Sequence, residues 1–306
     1  MRVTLVIHSG SVRCDMHVHS YFSGACTTPF LSKFCRESYS DPLQVYELLR
    51  RRGMNLFTLT DHDSIEGAEK LRSLPNFFLS EELTCSMPSG TQIHVGVYDI
   101  TERQHLHLQQ RRNDLVALLM YLSERRLLFS INHIFSNLTG AREREDFVWF
   151  REYFPAIETR NSHMLERSNA NAQTLARQWE KIAIGGSDAH ALPSAGTAYT
   201  EVPAARSKEE FFDGLRGGMG KVAGESGSFA KLTRDCFLIA GEMMREKSWT
   251  ALLAPLGVLL PTFTWLNYFE ERQFSRRWAA EVLGEPKSRP RPRWISLPQP
   301  ALEEWV

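Results

Sequence analysis

An alternation of short apolar runs with helical patterns, which extends from the start of the chain to about residue 230, restricts the fold more than any other feature. Runs of strand length separated by helices are typical of βα units around a largely parallel sheet. The helix after the second run has the clearest boundaries, because Asp41 can cap it, Pro42 suits its first turn and Gly53 can end it. We predict strands at 3–7, 13–18, 55–60, 77–83, 92–97, 127–132, 156–159, 182–186 and 221–223.

The overall charge and the cysteine content exclude several classes of function. The 306 residues include 36 basic and 36 acidic side chains, so no global field draws the chain to nucleic acid or to an anionic membrane. Any anionic substrate must therefore be attracted locally. The five cysteines form no C-x-x-C pair and are odd in number, which argues against a disulfide framework. Because the N-terminus also lacks a signal-peptide pattern, we expect a cytoplasmic protein.

The character of the sequence changes after residue 230. The segment 248–269 contains no charged residue and reaches the length of about 20 residues that a bilayer span requires. Pro255, Gly257 and Pro261 would break a single helix, and basic residues on both sides of the segment give no orientation bias. We therefore predict a helical hydrophobic appendage over 231–284 that can associate with a membrane but does not span it. The Pro-rich basic tail, 285–306, is predicted to be disordered.

Polar clusters follow two of the predicted strands. His17 and His19 lie two residues apart, so on a strand both imidazoles project from one face and can grip a metal ion. Such a pair is also found on half-buried strands with no metal, held only by hydrogen bonds. Asp61, His62 and Asp63 follow the run at 55–60, at the strand end where barrel enzymes carry catalytic groups. The alternative for these three residues is a helix cap.

Further candidate ligands follow the later strands. Of the adjacent Glu81 and Glu82, we predict that Glu82 faces the site, because strand alternation places it with Ser80 and Thr84 rather than with the leucines on either side. His94 and His133 are also near strand ends, although either one alone is as easily a core or surface histidine. Two residues separated by one position, Asp188 and His190, complete the set.

In their order and spacing, these motifs resemble those of the PHP (polymerase and histidinol phosphatase) domain phosphoesterases over about residues 13–225. The segments that carry the resemblance are DMHVHS, TDHDSIEG, SEEL, His94, the NH of Asn132 and His133, and GSDAH. The resemblance implies a distorted (β/α)7 TIM-like barrel over residues 1–230, with metal ions at the C-terminal ends of its strands. It implies a first ion at His17, His19, Glu82 and Asp188, a second shared by Glu82 with His94 and His133, and a third at His62 and His190.

One position departs from the family pattern. The family commonly has an Asp or His, which binds the third ion, at the position that Gly24 occupies here. Glycine offers no ligand, and the nearby Cys26 could substitute, although a free cysteine is more often a small buried residue. We therefore expect two divalent ions (Mn, Zn or Fe), or a third that arrives with the substrate.

The predicted chemistry is hydrolysis of a phosphoester. Two divalent ions bring four positive charges, and Glu82 and Asp188 remove two, so the cluster keeps a positive field for phosphate oxygens. Carboxylate-bridged ions lie about 3.5–4 Å apart and generate a bridging hydroxide that can attack phosphorus. Asp63 is a candidate acid for the leaving oxygen. Arg160 and Asn161, which follow another strand, are candidate substrate contacts whose alternative is a solvated loop.

The expected substrate is a small phosphomonoester or phosphodiester, above all a nucleotide or short oligonucleotide. A second class, the amidohydrolases, also begins with H-x-H but usually bridges its metals with a modified lysine, and no strand-end lysine occurs over 93–159. A third class is a non-catalytic metal-binding or regulatory barrel. The retention of eight candidate metal ligands argues against a decayed site of this kind.

Overall fold

The structure is a computed structural model that describes residues 10–24, 26 and 31–284. The predicted strand at 3–7 and the predicted disordered tail, 285–306, lie outside this range. The eight strands of the described residues are β1 Ser11–Cys14, β2 Ser80–Ser86, β3 Gln92–Tyr98, β4 Leu128–Ile131, β5 Ala156–Asn161, β6 Ile182–Gly186, β7 Ala198–Pro203 and β8 Lys221–Gly224. The helices are α1 Pro42–Arg51, α2 Glu66–Leu71, α3 Glu102–Gln109, α4 Leu115–Glu124, α5 Arg144–Tyr153, α6 Glu166–Gln178, α7 Lys208–Arg216, α8 Phe229–Glu246 and α9 Leu260–Val282, with short 3-10 turns at Tyr21–Ser23, Leu31–Lys33 and Leu192–Ser194 and a longer 3-10 stretch at Ser248–Leu259.

The predicted boundaries of the helix α1 are confirmed. The Asp41 carboxylate accepts hydrogen bonds from the amides of Leu43 (3.0 Å) and Gln44 (3.1 Å), and Pro42 occupies the first position, where its missing N–H costs nothing. Gly53, just beyond the end of the helix, has φ +82°, a left-handed conformation that glycine adopts without steric cost.

The mixed α/β class is confirmed, but the strands are less parallel than predicted. One sheet has the order β2-β3-β4-β5-β6, in which only the β4/β5 and β5/β6 pairs are parallel, while β1-β7-β8 form a small antiparallel sheet. The apolar pattern does not encode strand direction, and the short 87–91 turn makes β2 and β3 an antiparallel hairpin. The strand β7 was missed because small residues alternate along its buried face, so no apolar run marks it.

Single hydrogen bonds, rather than a ladder, link β6 to β2 through the extended segments 16–19 and 56–62. They run from the amides of Met16, Thr60 and Glu82 to the carbonyls of Gly185, Val18 and Asp61, with N···O distances of 3.4, 2.9 and 3.2 Å. Closure of the predicted distorted (β/α)7 barrel is therefore not seen as a continuous ladder in the described ranges. The predicted strand at 55–60 is reduced to an isolated bridge at Phe57, and a second isolated bridge follows it at His62.

The C-terminal appendage packs against the rest of the chain at both ends. Near its start, Asp235 of α8 accepts a hydrogen bond from the ring of His163 (2.9 Å). Near its end, Trp278 of α9 is 3% exposed and lies in the same apolar core as β3 and β4, with its ring centroid 5.1 Å from that of Phe147. Between these anchors, the continuous helical stretch Ser248–Val282 is long and apolar enough to cross a membrane by length and composition.

Candidate metal centre

The two histidines of the first motif, His17 and His19, are adjacent to each other inside the site. Their Nε2 atoms are 3.0 Å apart, and both side chains are buried. On the far side of each ring, the Nδ1 atom is held, by Glu158 Oε1 for His17 (2.8 Å) and by Ser23 Oγ for His19 (2.9 Å). A partner on one ring nitrogen that turns the other toward a common point is the usual arrangement of metal-ligating histidines.

The first motif lies unusually close to the end of β6. A Cβ atom at Gly186 would fall 2.3 Å from the His17 amide nitrogen, so only glycine permits this approach. Because the strand end lies against the first motif, the residues that follow β6 reach the same site. Asp188 Oδ1 lies 3.3 Å from the Nε2 atoms of both His17 and His19, and 3.4 Å from His190 Nε2.

Glu82 lies at the centre of the cluster, as predicted, with its two oxygens facing different histidines. Its Oε2 atom is 3.0 Å from His17 Nε2, 3.3 Å from His19 Nε2 and 3.4 Å from His62 Nδ1. Its Oε1 atom is 3.4 Å from His133 Nε2 and 3.6 Å from His94 Nδ1. A carboxylate between two groups of imidazoles has the geometry of a bridging ligand.

The neighbouring Glu81 points away from the cluster. Its Oε2 atom lies 2.8 Å from both His105 Nδ1 and Gln109 Nε2, on the opposite face of β2. Strand alternation therefore assigned the two glutamates to the correct faces. The expected strand-end position was less accurate, since Glu82 is the third residue of β2 and His94 the third of β3. In the hairpin Glu82 lies opposite Gly96 and His94 opposite Thr84, so the two side chains are diagonal neighbours near the middle of the paired strands.

Three predicted site residues have strained backbone conformations. Asp63, His133 and Asp188 have φ angles of +51°, +29° and +53°, in a region that residues with a side chain rarely adopt. Such strain costs about 1–3 kcal/mol per residue and persists where the surrounding structure imposes it, often at functional sites. Each of these conformations turns the chain immediately after an extended segment, which directs the side chain into or beside the cluster.

Burial and neighbouring charges divide the histidines into two kinds. Burial lowers the pKa of His94 to about 3 and that of His190 to about 4, and it holds the pKa of His62 well below its usual value. These rings are neutral at pH 7, which is the form that binds metal. For His19, burial opposes protonation, but Asp188 and Glu82 outweigh it and raise its pKa to about 9. A bound cation would offset the negative charge of Glu82 and Asp188 in the same way as a protonated His19.

The donor set fits divalent metal ions. Ligand atoms lie within 4.8 Å of one another in three groups: His17, His19 and Glu82; His62, Glu82 and His94; and His19, His62 and His190. Within the part of the chain that the structure describes, the buried Nδ1 atom of His62, which faces Glu82, has no hydrogen-bond partner. Leaving buried polar atoms unpaired costs free energy, and a site that binds metal offers a reason for it.

Two acidic residues of the site were not found from the sequence. Glu158 is 2% exposed, and besides His17 it accepts hydrogen bonds from the His133 amide (2.8 Å) and from Asn161 Nδ2 (3.0 Å). Its position in the strand β5, two residues before the predicted substrate contact Arg160, was the feature of the sequence that could have identified it. Glu37 comes from a loop without a motif: its amide donates to the Gly24 carbonyl (3.1 Å), and its Oε2 atom lies 3.5 Å from His62 Nε2.

The predicted substrate contacts and the predicted acid lie in different places. A register shift between Glu158 and Arg160 turns Asn161 inward, where its Nδ2 donates to Asp188 Oδ2 (2.9 Å). The Arg160 guanidinium instead pairs with Glu166 (2.8 Å), away from the cluster, so its role stays a prediction without support from this geometry. Asp63 lines the cavity above the cluster, and burial raises its pKa.

Comparisons with known proteins find the same fold in other chains. A family model described as PHP-associated matches residues 166–219. A solved two-domain protein from Bacteroides vulgatus, described as containing a predicted PHP-like metal-dependent phosphoesterase, is 15% identical over 74% of this chain and 70% of its own, with a TM-score of 0.53. PsfC from Pseudomonas syringae is 16% identical over 78% of this chain and 99% of its own, with a TM-score of 0.52. No curated protein matches the sequence. The likeness to these solved structures shows a shared PHP-like fold, and the family-model match covers a part of the chain within that fold.

Proposed function

We propose that the protein hydrolyses a phosphoester with divalent metal ions held by the histidine–carboxylate cluster. The observation that carries this proposal is the position of Glu82, whose two oxygens lie within 3.6 Å of nitrogens of five histidines. No purely structural role needs five imidazoles around one buried carboxylate. Divalent ions in such a cluster supply positive charge for the phosphoryl oxygens and lower the pKa of water.

The residues around the cluster would keep its ligands in place. His17, His19, Glu82 and Asp188 would hold one ion, and Glu82, His94 and His133 a second. Asn132 Nδ2 donates to Glu82 Oε1 (2.8 Å), and Asn161 Nδ2 donates to Asp188 Oδ2 (2.9 Å). A hydrogen bond from an asparagine therefore orients each carboxylate. Glu158 holds the Nδ1 side of His17. Because the ligands are preorganised, substrate binding need not reorder them.

We also infer that the extended segments 16–19 and 56–62 complete a distorted seven-stranded barrel with β2–β6. The inference is supported by the single hydrogen bonds that lead from β6 through these two segments to β2. Pairing along these segments consists of isolated bridges, among them Val18 with Ala189 and His62 with Glu82, and the ligands His17, His19 and His62 lie in or beside these bridges. In this arrangement the irregular part of the barrel wall is the part that builds the site.

We infer that Glu37 supplies the third ligand position that Gly24 leaves empty. Gly24 has φ +83° and ψ −153°, a conformation available essentially to glycine alone, so no ligating side chain fits at that position. The amide of Glu37 is hydrogen-bonded to the carbonyl of Gly24, and its carboxylate faces His62. Together, Glu37, His62 and His190 would form a three-ligand site that needs no cysteine.

Substitution of Glu37 by glutamine is expected to remove the third ion and leave the other two. Glutamine keeps the size of the side chain but loses the charge, so the metal content should fall by roughly one ion per chain. Glu47→Gln on the surface of α1, which pairs only with Arg50 in the described contacts, is the matched control. Plasma mass spectrometry of protein loaded with excess Mn or Zn and desalted gives the count. An unchanged count in Glu37→Gln would exclude Glu37 as a ligand.

Metal analysis of the purified protein combined with a substrate panel tests the proposed function. We expect stoichiometric Mn, Zn or Fe, and release of phosphate or alcohol from at least one phosphomonoester or phosphodiester. The panel includes nucleotides and short oligonucleotides, which are the substrates expected from the sequence, and cyclic amides. Protein that holds no metal and cleaves no phosphoester would overturn the proposal. Cleavage of amides alone would favour the amidohydrolase alternative.

A further inference from the structure

A cavity of about 1000 Å³ leads away from the candidate metal centre. At its inner end lie the cluster residues His62, Glu82 and Asp188. The volume is at the upper end of the range of about 300–1,000 Å³ for small-molecule sites. A phosphate group with a small polar substituent would leave most of this space empty, so the size of the cavity indicates a substrate with a large second part.

The far wall of the cavity is apolar and is built by the appendage. Its side chains come from α8, from the 3-10 stretch Ser248–Leu259 and from the start of α9, and they include Leu232, Phe237, Met243, Leu253, Leu256 and Leu260. An aliphatic wall opposite a phosphate-binding cluster is complementary to a molecule with a charged end and an apolar end. The appendage therefore forms part of the site, not only an attachment to it.

The same cavity offers little to a nucleic-acid backbone. Among the described residues that line it, Arg36 is the sole arginine or lysine. Its guanidinium is already engaged, with Nε 2.8 Å from Glu246 Oε1 and the guanidinium carbon 3.9 Å from the centroid of the Tyr21 ring. Proteins that bind oligonucleotides neutralise several phosphates with basic side chains. A single engaged arginine is not such a surface.

The outer side of the same segment exposes many large apolar side chains. Leu252 and Val258 are 82% and 77% exposed, and Trp249, Phe263, Trp265 and Phe269 are each about half exposed. We call these six residues the outer face. Contiguous exposed apolar surface of this kind marks a site of interaction with a protein or a membrane. Two residues, Leu256 and Phe263, are exposed and also line the cavity, so the outer face is continuous with the cavity wall.

The charges around the outer face favour a bilayer as its partner. The segment 248–269 is uncharged. Arg245, which pairs with Glu242, precedes it, and the exposed Glu270, Arg272, Arg276 and Arg277 follow it, so the basic excess lies on its C-terminal side. Basic residues beside an apolar face attract anionic lipid headgroups, and tryptophans such as Trp249 and Trp265 are favoured at the membrane–water interface. Because α9 continues from this face to the buried Trp278, the segment is anchored to the protein and lies on one side of a membrane.

We propose that the substrate is a phosphoester lipid, taken from a bilayer on which the outer face rests, with its acyl chains along the apolar wall and its phosphate at the metal centre. This proposal rests on the proposed phosphoester hydrolysis and specifies its substrate class. In the reaction, water adds to phosphorus and the P–O bond to the glycerol oxygen breaks. The glycerol oxygen leaves with a proton, so phosphatidic acid would yield diacylglycerol and inorganic phosphate.

The proposal is tested with two matched pairs of esters that differ only in their acyl chains. One pair is phosphatidic acid in phosphatidylcholine vesicles and soluble glycerol 3-phosphate, and the other is phosphatidylglycerol in such vesicles and soluble glycerophosphoglycerol. The full-length metal-loaded protein should float with vesicles that contain either anionic lipid. It should cleave the acylated member of one pair with a kcat/KM at least about tenfold higher, since remote binding energy is used at the reacting group.

A double substitution on the outer face separates membrane binding from chemistry. Neither Leu252 nor Val258 lines the cavity, and both are mostly exposed, so Leu252→Glu with Val258→Glu should fold normally. We expect it to lose vesicle flotation and about tenfold in activity on vesicle lipid, with the rate on soluble esters unchanged. Leu106→Glu, at a 61% exposed leucine of α3, is the matched control and should change neither.

The possible failures are distinguishable. If soluble esters or nucleotides are cleaved, but acylated esters are not preferred and vesicles are not bound, the lipid proposal is overturned and phosphoester hydrolysis stands. Self-association through the outer face without vesicle binding would also overturn it, in favour of a second copy of the chain as the partner. If the metal-loaded protein cleaves no ester of any kind, the proposed function itself fails.

Discussion

Replacing Glu82 with glutamine is expected to lower kcat/KM by about a thousandfold, equivalent to about 4 kcal/mol of transition-state stabilisation, and to remove most of the bound metal. The expected size follows from the position of the carboxylate, which faces His17, His19 and His62 with one oxygen and His94 and His133 with the other. Loss of its charge weakens both of the proposed ion sites that share it, whereas His94 or His133 belongs to only one of them.

The adjacent glutamate is the control for this prediction. Glu81 is equally buried and lies on the same strand, but its carboxylate contacts His105 and Gln109 on the opposite face. Glu81→Gln therefore tests for general effects of removing a buried charge from β2, and it should keep its metal and most of its activity. Both variants are compared by metal content and by kcat/KM on the best soluble ester. Equal losses in the two variants would mean that the effect is structural and that Glu82 has no special role at the centre.

The parts of the site that could be predicted from the sequence are the side chains that lie in an extended segment or directly after one. His17 with His19, Asp188 with His190, and the choice of Glu82 over Glu81 all depend on the two-residue repeat of an extended chain, which is a local property. The structure brings these side chains together.

The rest depends on contacts between distant parts of the chain. Glu37 reaches the site because its amide is hydrogen-bonded to the backbone of Gly24, and Glu158 because His17 and the His133 amide meet it from two other segments. Neither contact leaves a repeat or a spacing in the sequence. Strand direction is similarly hidden, since the alternation that marks β2 and β3 is the same for a parallel and an antiparallel pair. A distorted (β/α)7 barrel around a largely parallel sheet was therefore expected where the structure has a mixed sheet.

Substitution of Trp278 by alanine is expected to lower the free energy of unfolding by about 3–5 kcal/mol, the range for large aromatic side chains removed from a packed core. Trp278 is 3% exposed, stacks near Phe147 and Phe274, and belongs to the core cluster that includes Ile131 and Phe150. Trp265→Ala is the matched control on the same helix. It removes the same side chain where it is 54% exposed, and it should change the free energy of unfolding by no more than about 0.5 kcal/mol.

Urea denaturation followed by circular dichroism of both variants also tests how the appendage is attached. If residues 231–284 share the core of the barrel, Trp278→Ala shifts the main unfolding transition, because the cavity it leaves is lined by side chains of β4 and α5. If they form a separately folded unit, as the predicted boundary at residue 230 implies, a small early transition appears and the main one stays in place. The first result is expected, since α9 is anchored in that core at one end and supplies apolar side chains to the cavity at the other. A shift of the main transition in Trp278→Ala alone, with lipid binding reduced only in the Leu252 and Val258 variant, would assign stability to the end of α9 and membrane binding to the 3-10 stretch before it.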